Sequence, residues 1–574
     1  MKQWEIVFNK WQSFEGLEPV LKAEVLEMEH DQAEDAFYKE LTFGTGGMRG
    51  VLGAGINRMN IYTVRKAVNG LANYLQATFT NADQRGVAIS YDSRHMSQEF
   101  ALETAKVLGA YGIKAYVFAS LHPTPLLSFA VRHLGACAGV MITASHNPPE
   151  YNGFKVYNDD GGQVIPEEAD KIITFINQTE NELTVPVLDQ KQLEEHELLH
   201  WIGDEIDQAY LDQLKQISRL PDDEKQAYKD LSIVFTPLHG TAYDLVLKGL
   251  KQLNFPNVHV VEEQAKPDPE FSTVASPNPE EHQAFTMAMA DGEQVDADIL
   301  IGTDPDADRL GVAVKDANET YTVLTGNQLG SLILDYILTQ SNRSDLRHAR
   351  MIKTIVTTEL GRAIASDHDV KTIDTLTGFK YIGEKIRQYD TTEETFIFGF
   401  EESYGYLISG IVRDKDAVQA AVMASELAYY WKKQGKTLLD ALDVLYEKYG
   451  YYREGMTSLT LKGKEGAARI EAMMEEVRTT PLSKIGGLKV LQVEDYLTSE
   501  RTLLNDGNKV EQITLPKENV VKYLLEHDSW VCFRPSGTEP KIKCYYGVCE
   551  KSSEASAEKL AALQQEMEAI MKRN

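Results

Sequence analysis

Three aspartates alternate along the stretch "GTDPDADR", at Asp304, Asp306 and Asp308, between the apolar runs "ADILI" and "LGVAV". In an extended loop alternate side chains point to the same side, so this spacing predicts that the three carboxylates converge. Like charges this close repel unless a hard cation lies among them, and oxygen ligands suit Mg²⁺. A solvated acidic turn explains the pattern equally well, whereas a calcium loop of the EF-hand type would need a glycine and a distal glutamate that are missing here.

A second group combines hydroxyl and basic side chains around a glycine, in the stretch "FRPSGTEPKIK" that begins at Phe533. Its candidate ligands are Arg534, Ser536, Gly537, Thr538 and Lys541. Hydroxyls, backbone N–H groups and a bidentate arginine are what a phosphate dianion binds. The chain carries 58 Lys and Arg against 87 Asp and Glu, a net charge of -29, so a local basic cluster is informative. The alternative is a basic surface loop.

Three further loops offer weaker signals. "GFEESYGY" places Glu401 and Ser403 between glycines, where they could exchange hydrogen bonds with sugar hydroxyls. "LTGFKYIG" places Lys380, and "FTPLHGTA" places His239, after short turns. Each of these, taken singly, is as well explained by an ordinary surface loop.

Ser145 follows a buried-strand pattern ending in Val140, Met141 and Ile142, and opens the polar loop "SHNPPEYNGFK". The surrounding residues do not form the G-x-S-x-G turn of an esterase nucleophile, so a simple serine hydrolase is poorly supported. A serine in one chain with a three-carboxylate loop and a phosphate-binding loop indicates instead that Ser145 carries a phosphoryl group.

The elements that must position these loops follow an α/β pattern. Short β-branched runs alternate with amphipathic stretches such as "TVRKAVNGLANYLQATF", which predicts strands covered by helices. In open α/β sheets the loops at the carboxyl ends of the strands form the ligand crevice. A polar helical stretch from Asp204 to Asp230, broken by a proline, predicts a junction between domains, and the chain end predicts a packed helix. At 574 residues, several domains are expected.

The overall composition excludes several classes of protein. The excess of acidic residues argues against a nucleic-acid partner. Four cysteines without CxxC pairing argue against a disulfide framework or a cysteine zinc site. We see no signal peptide and no apolar run of about 18 residues, so the sequence predicts a cytoplasmic protein without a membrane span.

The loops "TASHNPPEYNGFK", "GTDPDADR", "GFEESYG" and "RPSGTEPK", in that order, resemble the four signature loops of the α-D-phosphohexomutase family, and "FGTGGMRG" (Phe43 to Gly50) resembles the family's amino-terminal active-site segment. The resemblance covers nearly the whole chain. It implies an α/β fold of four domains around a central cleft: three related α/β domains with mixed sheets and a smaller carboxyl-terminal α+β domain. The expected bounds are 1–205, 206–318, 319–448 and 449–574.

The resemblance also implies roles for individual residues. Ser145 matches the phosphoserine, and with Asp304, Asp306 and Asp308 it would hold Mg²⁺. The residues matching those around the transferring phosphoryl group are Arg49, His146, Lys155 and Arg309. The residues matching those that bind the rest of the sugar phosphate are Glu401, Ser403, Arg534, Ser536, Gly537 and Thr538, and Lys541 extends the last of these loops. Lys380 is a further candidate for substrate binding. One departure is the stretch before Phe43, which is longer than in compact bacterial members and has no assigned role.

The resemblance implies an enzyme that moves a phosphoryl group between the 1- and 6-positions of a hexose through Ser145 and a bisphosphate intermediate. Glucose phosphates, with glucose 1,6-bisphosphate as activator, are the expected ligands; mannose and pentose phosphates stay open, as do a phosphatase and a non-catalytic phosphosugar-binding protein. Lys155 is the preferred general acid/base and His146 the second choice. A lysine base would need a lowered pKa, which neighbouring cations could supply. A monomer or homodimer is expected.

Overall fold

The structure is a computed structural model that describes residues 2–44, 46–225, 229–342, 344, 346–461, 463–480, 482–536 and 541–572. The chain divides into two compact units: unit 1 comprises Met1–Leu329 and Phe379–Thr437, and unit 2 comprises Gly330–Gly378 and Leu438–Asn574. The expected domain 319–448 therefore contributes residues to both units. Its bounds, like those of the other three expected domains, stay a prediction.

In the longer helices, such as α4 (Ile61–Thr78), apolar residues recur at intervals of three or four positions. The helix bounds are α1 (Gln3–Ser13), α2 (Pro19–Glu27), α3 (His30–Phe37), α4 (Ile61–Thr78), α5 (Ala82–Arg85), α6 (Ser97–Ala110), α7 (Thr124–Leu134), α8 (Pro166–Asn177), α9 (Gln190–Glu195), α10 (Asp204–Leu214), α11 (Asp222–Lys225), α12 (Tyr243–Gln252), α13 (Thr286–Val295), α14 (Gly326–Gln340), α15 (Leu360–Asp367), α16 (Phe379–Tyr389), α17 (Ala417–Lys432), α18 (Leu438–Tyr449), α19 (Gly463–Thr479) and α20 (Ser553–Lys572). None of these helices combines the length and apolar character needed to span a bilayer.

The buried strands, such as β4 (Ala138–Ile142) and β9 (Ile299–Thr303), form from short apolar runs that end in turn residues. The strand bounds are β1 (Gly47–Val51), β2 (Val87–Tyr91), β3 (Ala115–Phe118), β4 (Ala138–Ile142), β5 (Tyr151–Tyr157), β6 (Leu199–Ile202), β7 (Ile233–Thr236), β8 (Val258–Val260), β9 (Ile299–Thr303), β10 (Leu310–Lys315), β11 (Tyr321–Val323), β12 (Ala349–Thr354), β13 (Lys371–Thr375), β14 (Thr395–Glu401), β15 (Gly405–Leu407), β16 (Tyr451–Thr460), β17 (Lys484–Ile485), β18 (Leu488–Asp495), β19 (Glu500–Leu503), β20 (Lys509–Gln512), β21 (Val521–Leu525), β22 (Trp530–Pro535) and β23 (Lys541–Glu550).

Unit 1 contains two mixed sheets built on the same plan. In the first, with strand order β1-β5-β4-β2-β3-β6, strands β2, β3, β4 and β6 are parallel, while β5 and β1 add antiparallel strands at one edge. In the second, with order β11-β10-β9-β7-β8, β7, β8 and β9 are parallel and β10 and β11 antiparallel. The expectation of related α/β domains with mixed sheets is confirmed. The β14–β15 hairpin also belongs to unit 1.

The predicted burial pattern is confirmed in the first domain of unit 1. Strand β4 is buried along its whole length, which is the pattern of a central parallel strand. On α4, Val64, Val68, Leu71 and Leu75 are all buried against the sheet as predicted. The chain therefore leaves a rigid, dry strand at Ile142 and enters the polar loop that carries Ser145.

The stretch before Phe43 forms helices α1, α2 and α3 around a small core of its own, centred on the fully buried Trp11. The indole of Trp11 donates a 2.7 Å hydrogen bond to Glu182. Glu24 accepts the N–H of Ala54 at 2.8 Å, and the carbonyl of Ala36 accepts the N–H of Asn57 at 2.9 Å. This amino-terminal segment therefore holds the loop that follows β1.

Unit 2 contains the parallel pair β12–β13 and a carboxyl-terminal antiparallel sheet of order β16-β23-β22-β21-β18-β19-β20, with β17 on β18. Helix α20 packs on this sheet through Leu563 and Met567, both fully buried. The predicted terminal helix and the different character of the last domain are confirmed.

Candidate active site

Ser145 lies three residues beyond β4 with a positive φ of 53°. Its hydroxyl donates a 2.8 Å hydrogen bond to Oδ2 of Asp304 and lies 3.2 Å from Nδ1 of His146. The N–H of Ser145 donates to the hydroxyl of Thr143 at 2.8 Å. A left-handed conformation is costly for a residue with a Cβ, so the loop is held in a conformation that aims the serine hydroxyl at the aspartate loop.

The aspartate loop brings its three carboxylates together, as predicted. One oxygen of each of Asp304, Asp306 and Asp308 lies within 4.8 Å of the others, and all three residues are buried. The expected conformation was wrong in one respect: residues 304–308 form a turn rather than an extended segment, with Ala307 at φ 53°. The turn forms because Oδ1 of Asp304 accepts the N–H groups of Asp308 and Arg309, each at 3.0 Å.

The donors in this loop fit a magnesium ion. Within the described part of the chain, Oδ1 of Asp306 and Oδ1 of Asp308 are buried and have no hydrogen-bond partner. A buried, unpaired carboxylate oxygen is costly, and hard oxygen donors are what Mg²⁺ prefers. Asp304, Asp306, Asp308 and the Ser145 oxygen are therefore the residues that would hold it.

Two neighbouring loops fix the aspartates. Thr124, the first residue of α7, donates its N–H to the carbonyl of Asp306 at 2.9 Å and its hydroxyl to Oδ2 of Asp306 at 3.0 Å. Thr241 donates its N–H to the carbonyl of Pro305 at 2.9 Å. A Cβ at Gly240 would come within 2.5 Å of Pro305, so the "LHGTA" turn can approach the loop only with glycine there. His239 itself bonds to Lys266 and Thr273, away from the aspartates.

The three carboxylates do not share their charge equally. Burial and the neighbouring Asp306 and Asp308 raise the pKa of Asp304 well above its ordinary value. Burial also acts on Asp306, but Lys155 outweighs it and holds the pKa of Asp306 below its ordinary value. The negative charge of Asp304, the partner of the Ser145 hydroxyl, therefore depends more on a neighbouring cation than the charge of Asp306 does.

Lys155 lies on β5, with its Nζ 2.9 Å from Oδ2 of Asp306 and 3.8 Å from Oδ2 of Asp308. Burial alone would lower the pKa of Lys155. The two carboxylates outweigh burial and raise this pKa above its ordinary value. The lowered pKa that a lysine base would need is not found here, because the carboxylates outweigh the neighbouring cations. Burial, with Arg309 and Arg49 nearby, lowers the pKa of His146 to about 2, so its imidazole is neutral.

Two arginines flank this centre. Arg49 lies on the edge strand β1, opposite Gly153, and its guanidinium donates to Oδ1 of Asn147 at 2.7 Å. Arg309 follows the aspartates and donates to Glu280 and, at 3.1 Å, to the carbonyl of Ser403. The β14–β15 turn is thereby joined to the aspartate loop. Glu401, buried at the end of β14, lies close enough to Arg309 to help raise its pKa.

Comparison with known families identifies this arrangement. The three α/β/α domains described for phosphoglucomutase and phosphomannomutase match the chain in order: domain I over residues 40–183, domain II over 208–318 and domain III over 325–449. Together these matches span more than half of the 574 residues.

The chain belongs to the phosphoglucomutase/phosphomannomutase family.

Individual relatives agree with this membership. The chain is 42% identical over 533 residues to a phosphoglucomutase of Staphylococcus aureus (strain MRSA252), covering 93% of this chain and 94% of the relative. Its fold is similar to that of pp63/parafusin, a phosphoglucomutase from Paramecium (TM-score 0.69, 18% identity, 93% of this chain and 95% of that one). It is also similar to a family protein from Burkholderia thailandensis (TM-score 0.64, 18% identity, 92% and 96%).

The phosphoglucomutase/phosphomannomutase site contains a lysine that the sequence reading missed. Lys415 lies 3.1 Å from Oδ2 of Asp308 and 3.3 Å from Oδ1 of Asp414. Burial acts to lower the pKa of Lys415. Asp308, Asp414 and Glu401 outweigh burial and raise this pKa. Lys415 is therefore a fixed positive charge between the aspartate loop and the β14–β15 hairpin. The lysine and aspartates of "VRDKDA" were the available signal.

Lys380 is related to this part of the site through its neighbour Phe379. It lies in the first turn of α16, with its Nζ 5.3 Å from the Tyr381 ring. The adjacent Phe379 ring lies 5.7 Å from the Nζ of Lys415.

The phosphate-loop candidates of this family member lie in unit 2. Arg534, at the end of β22, donates from Nε to Glu518 at 3.3 Å, and Glu518 and Tyr545 raise the pKa of Arg534 although burial opposes them. The N–H of Ser536 donates to the carbonyl of Lys541 at 2.7 Å, which brings the two ends of the loop together. Gly537 and Thr538 lie outside the described residues. A phosphate binding to Arg534 would compete with Glu518.

Proposed function

We propose that this chain is a phosphoglucomutase that interconverts glucose 1-phosphate and glucose 6-phosphate, with Ser145 as the phosphoryl carrier and glucose 1,6-bisphosphate as the intermediate. The observation that carries the proposal is the 2.8 Å contact of the Ser145 hydroxyl with Asp304, at a cluster whose other two aspartates keep a buried, unpaired oxygen. A serine in a hydrolase triad would instead need a histidine oriented by a third group.

The proposed cycle moves one phosphoryl group at each half-reaction. In the first, the bond between phosphorus and the Ser145 oxygen breaks and a bond to the sugar hydroxyl oxygen forms; the sugar hydroxyl proton passes to a base, and the freed Ser145 oxygen takes up a proton to become a hydroxyl. In the second, the Ser145 oxygen attacks the other phosphoryl group of the bisphosphate and gives up its hydroxyl proton, the bond between that phosphorus and the sugar oxygen breaks, and the freed sugar oxygen gains a proton. Mg²⁺ held by the aspartates would stabilise charge on the transferring phosphoryl oxygens.

The proton transfers are assigned to Lys155 first and His146 second. The raised pKa of Lys155 makes its ammonium a proton donor to the departing oxygen. Once it has given up that proton, the amine is the base that accepts the sugar hydroxyl proton in the opposite direction. His146 is neutral and has Nδ1 at 3.2 Å from the Ser145 oxygen; because the serine hydroxyl donates to Asp304, the Nδ1–H tautomer of His146 is the one that can donate to the serine oxygen.

The basic side chains are proposed to compensate the negative charge of the substrate phosphates. Two phosphate dianions about 6 Å apart repel by roughly 11 kcal/mol at an effective dielectric constant of about 20. In the proposed roles, Arg49 and Arg309 compensate the transferring phosphoryl group, while Arg534, Ser536, Gly537, Thr538 and Lys541 bind the other phosphate. Glu401, Ser403 and Lys380 bind the sugar.

Glucose is the proposed sugar because relatives at 42% identity are phosphoglucomutases. The alternatives are mannose or pentose phosphates. The test is a panel of hexose and pentose 1-phosphates, with Mg²⁺ and catalytic glucose 1,6-bisphosphate, assayed for sugar 6-phosphate (or pentose 5-phosphate) and for inorganic phosphate. Preferential formation of glucose 6-phosphate supports the proposal. Accumulation of inorganic phosphate would identify a phosphatase, and preference for another sugar would reassign the substrate.

The proposed setting is the cytoplasm, with sugar phosphates as the only required partners and a monomer or homodimer as the assembly. Light scattering of the purified protein distinguishes the two assemblies, because a monomer has the 64.4 kDa mass of the chain and a homodimer has twice that mass.

A further inference from the structure

Arg94 follows β2 in the sequence "YDSR", and its side chain is completely buried. Its guanidinium donates to four backbone carbonyls of the loop between β4 and β5. The acceptors are Ser145 at 2.6 Å, Asn147 at 2.5 Å, Pro148 at 2.8 Å and Tyr151 at 3.1 Å. One side chain thus supplies donors to a loop whose carbonyls otherwise face the protein interior.

This arrangement explains how Ser145 keeps its unfavourable backbone conformation. A serine at φ 53° relaxes unless surrounding contacts fix it, and buried carbonyls without donors are costly. The guanidinium satisfies the carbonyl of Ser145 itself and of residues on its carboxyl-terminal side. The rotation of the peptide after Ser145 is therefore set by Arg94.

Arg94 is itself fixed on several sides. Its N–H donates to Oδ1 of Asp92 at 2.9 Å, and its Nε lies 3.4 Å from Oδ2 of the same carboxylate. The Phe271 ring lies 4.9 Å from the guanidinium carbon. Ser97 donates to Asp92 at 2.7 Å. A group held by a carboxylate, a ring and four carbonyls has little freedom to follow a moving loop.

We propose that Arg94 is the positioning residue for phosphoryl transfer: it holds the Ser145 backbone so that the serine oxygen stays directed at the cluster of Asp304, Asp306 and Asp308 whether or not it carries a phosphoryl group. Among the described residues, no hydrogen bond or ion pair joins the Arg94 guanidinium to Asp304, Asp306, Asp308 or the Ser145 hydroxyl, so it acts through the loop backbone. The inference rests on the proposed function of Ser145 as phosphoryl carrier.

A lysine cannot take over this task. Guanidinium is planar and presents five N–H donors in a fixed fork, whereas an ammonium has three donors at one point. Arg94→Lys therefore keeps the buried positive charge and loses the simultaneous contacts to four carbonyls. The variant thus tests the geometry of the contacts separately from the charge.

The test compares Arg94→Lys and Arg94→Ala with wild type. A misplacement of about 1 Å in a reacting group costs on the order of 10²-fold in rate, so we expect kcat of Arg94→Lys to fall by about that factor. The KM for glucose 1-phosphate should change by less than about threefold, because the sugar and its second phosphate bind to other loops. Millimolar guanidinium, which carries the same donors, should raise kcat of Arg94→Ala and leave wild type unchanged.

A second readout does not depend on activity. Backbone hydrogen exchange in peptides covering residues 143–151 should be faster in Arg94→Lys than in wild type, and intact mass after equilibration with glucose 1,6-bisphosphate should show less phosphoserine. Arg65→Lys is the matched control: Arg65 lies on α4 and pairs with Glu103, and this variant should match wild type in all three measurements.

The outcomes separate the two proposals. If wild type does not interconvert glucose phosphates, the proposed function fails, and loop exchange alone then decides whether Arg94 positions the loop. If Arg94→Ala does not fold, Arg94→Lys and its exchange pattern carry the test. Unchanged exchange over 143–151, or a fall in melting temperature with normal kcat, would overturn the positioning role.

Discussion

The hydroxyl of Ser145 donates a 2.8 Å hydrogen bond to Oδ2 of Asp304, across 159 residues of sequence. Ser145 follows strand β4 of the first sheet of unit 1, and Asp304 follows strand β9 of the second. The proposed phosphoryl carrier and the proposed metal ligands are therefore contributed by two different α/β domains, and their contact depends on how those domains pack.

Removing this hydroxyl should abolish turnover and spare the fold. Ser145→Ala loses the phosphoryl acceptor, while alanine fits the same backbone. We expect no measurable mutase activity, an unchanged melting temperature and, by intact mass, no phosphorylated fraction. Ser425→Ala, which removes a buried hydroxyl bonded to the carbonyl of Ala421, is the control and should stay active. Full activity of Ser145→Ala would contradict the assignment.

Metal binding should depend on Thr124 as well as on the aspartates. Chelation should remove activity and Mg²⁺ restore it. Thr124→Val removes the hydroxyl that orients Asp306, and loss of such a supporting contact costs about 10- to 100-fold in metal affinity. Titration calorimetry with Mg²⁺ measures the affinity directly; Thr124→Ser should bind nearly as wild type.

The control for that experiment is Thr104→Val, which removes a fully buried hydroxyl bonded within α6. Equal Mg²⁺ affinity for Thr124→Val and Thr104→Val would show that the Thr124 hydroxyl does not support the site.

Arg534→Ala should weaken both glucose 1-phosphate and glucose 6-phosphate by similar factors, because the guanidinium is proposed to bind phosphate and not sugar. Loss of a charge-assisted contact worth about 1.5–3 kcal/mol predicts tenfold or more in KM. Arg501→Ala, which removes another ion-paired arginine of unit 2, is the control. A change confined to one of the two substrates would refute a pure phosphate role.

Glu401→Gln should alter the choice of sugar. The buried carboxylate is proposed to accept hydrogen bonds from sugar hydroxyls, and an amide offers one acceptor fewer and adds donors. The ratio of kcat/KM for glucose 1-phosphate to that for mannose 1-phosphate should shift, while Glu384→Gln on α16 leaves it constant. If Arg534→Ala shifts this ratio and Glu401→Gln does not, the roles of the two loops are reversed.

Asp416 should make stability fall as pH rises from about 4 to about 6. Burial raises the pKa of Asp416 from 3.8 to about 6, against hydrogen bonds from Gln419 and Tyr210. The folded state therefore binds the proton of Asp416 more tightly than the unfolded state does. The protonated group contributes roughly 3 kcal/mol to the free energy of unfolding, and this contribution is complete below about pH 4 and lost above about pH 6. Asp416→Asn should gain stability relative to wild type across that interval.

The measurement is the difference in free energy of unfolding by urea between Asp416→Asn and wild type at each pH. Asparagine still accepts the N–H groups of Val418 and Gln419 that Asp416 accepts at 3.0 Å. The control is Asp189→Asn, at a solvent-exposed helix start. A difference that does not vary with pH for Asp416→Asn would refute the assignment.

Sequence patterns predicted those features of the structure that depend on residues close together in the chain. The burial of β4, the helix α4 and the convergence of Asp304, Asp306 and Asp308 follow from local runs and spacing. The shape of the aspartate turn did not, since it depends on Asp304 accepting two later N–H groups. Thr124, Lys415 and Arg94 were missed because their partners lie 182, 107 and 51–57 residues away, and only the tertiary packing reveals such pairs.

The pKa of Lys155 shows a second limit of sequence reasoning. Cations and carboxylates are both plentiful in the signature loops, and the sign of the shift depends on which lie nearest. The distances from Lys155 to Asp306 and Asp308 decide it, and these are properties of the packed domains.

The segment 413–416 bonds to residues of the first two domains that are synthesised much earlier. Arg413 pairs with Asp160, Asp414 accepts from Tyr157 and Asp416 accepts from Tyr210, across 253, 257 and 206 residues. On the ribosome, where domains fold as the chain emerges, these three partners cannot make their native contacts until residue 416 has left the exit tunnel. The nascent chain therefore contains Ser145 and the three aspartates of the site before Lys415 has been added. The charged groups around the aspartates are complete only late in translation.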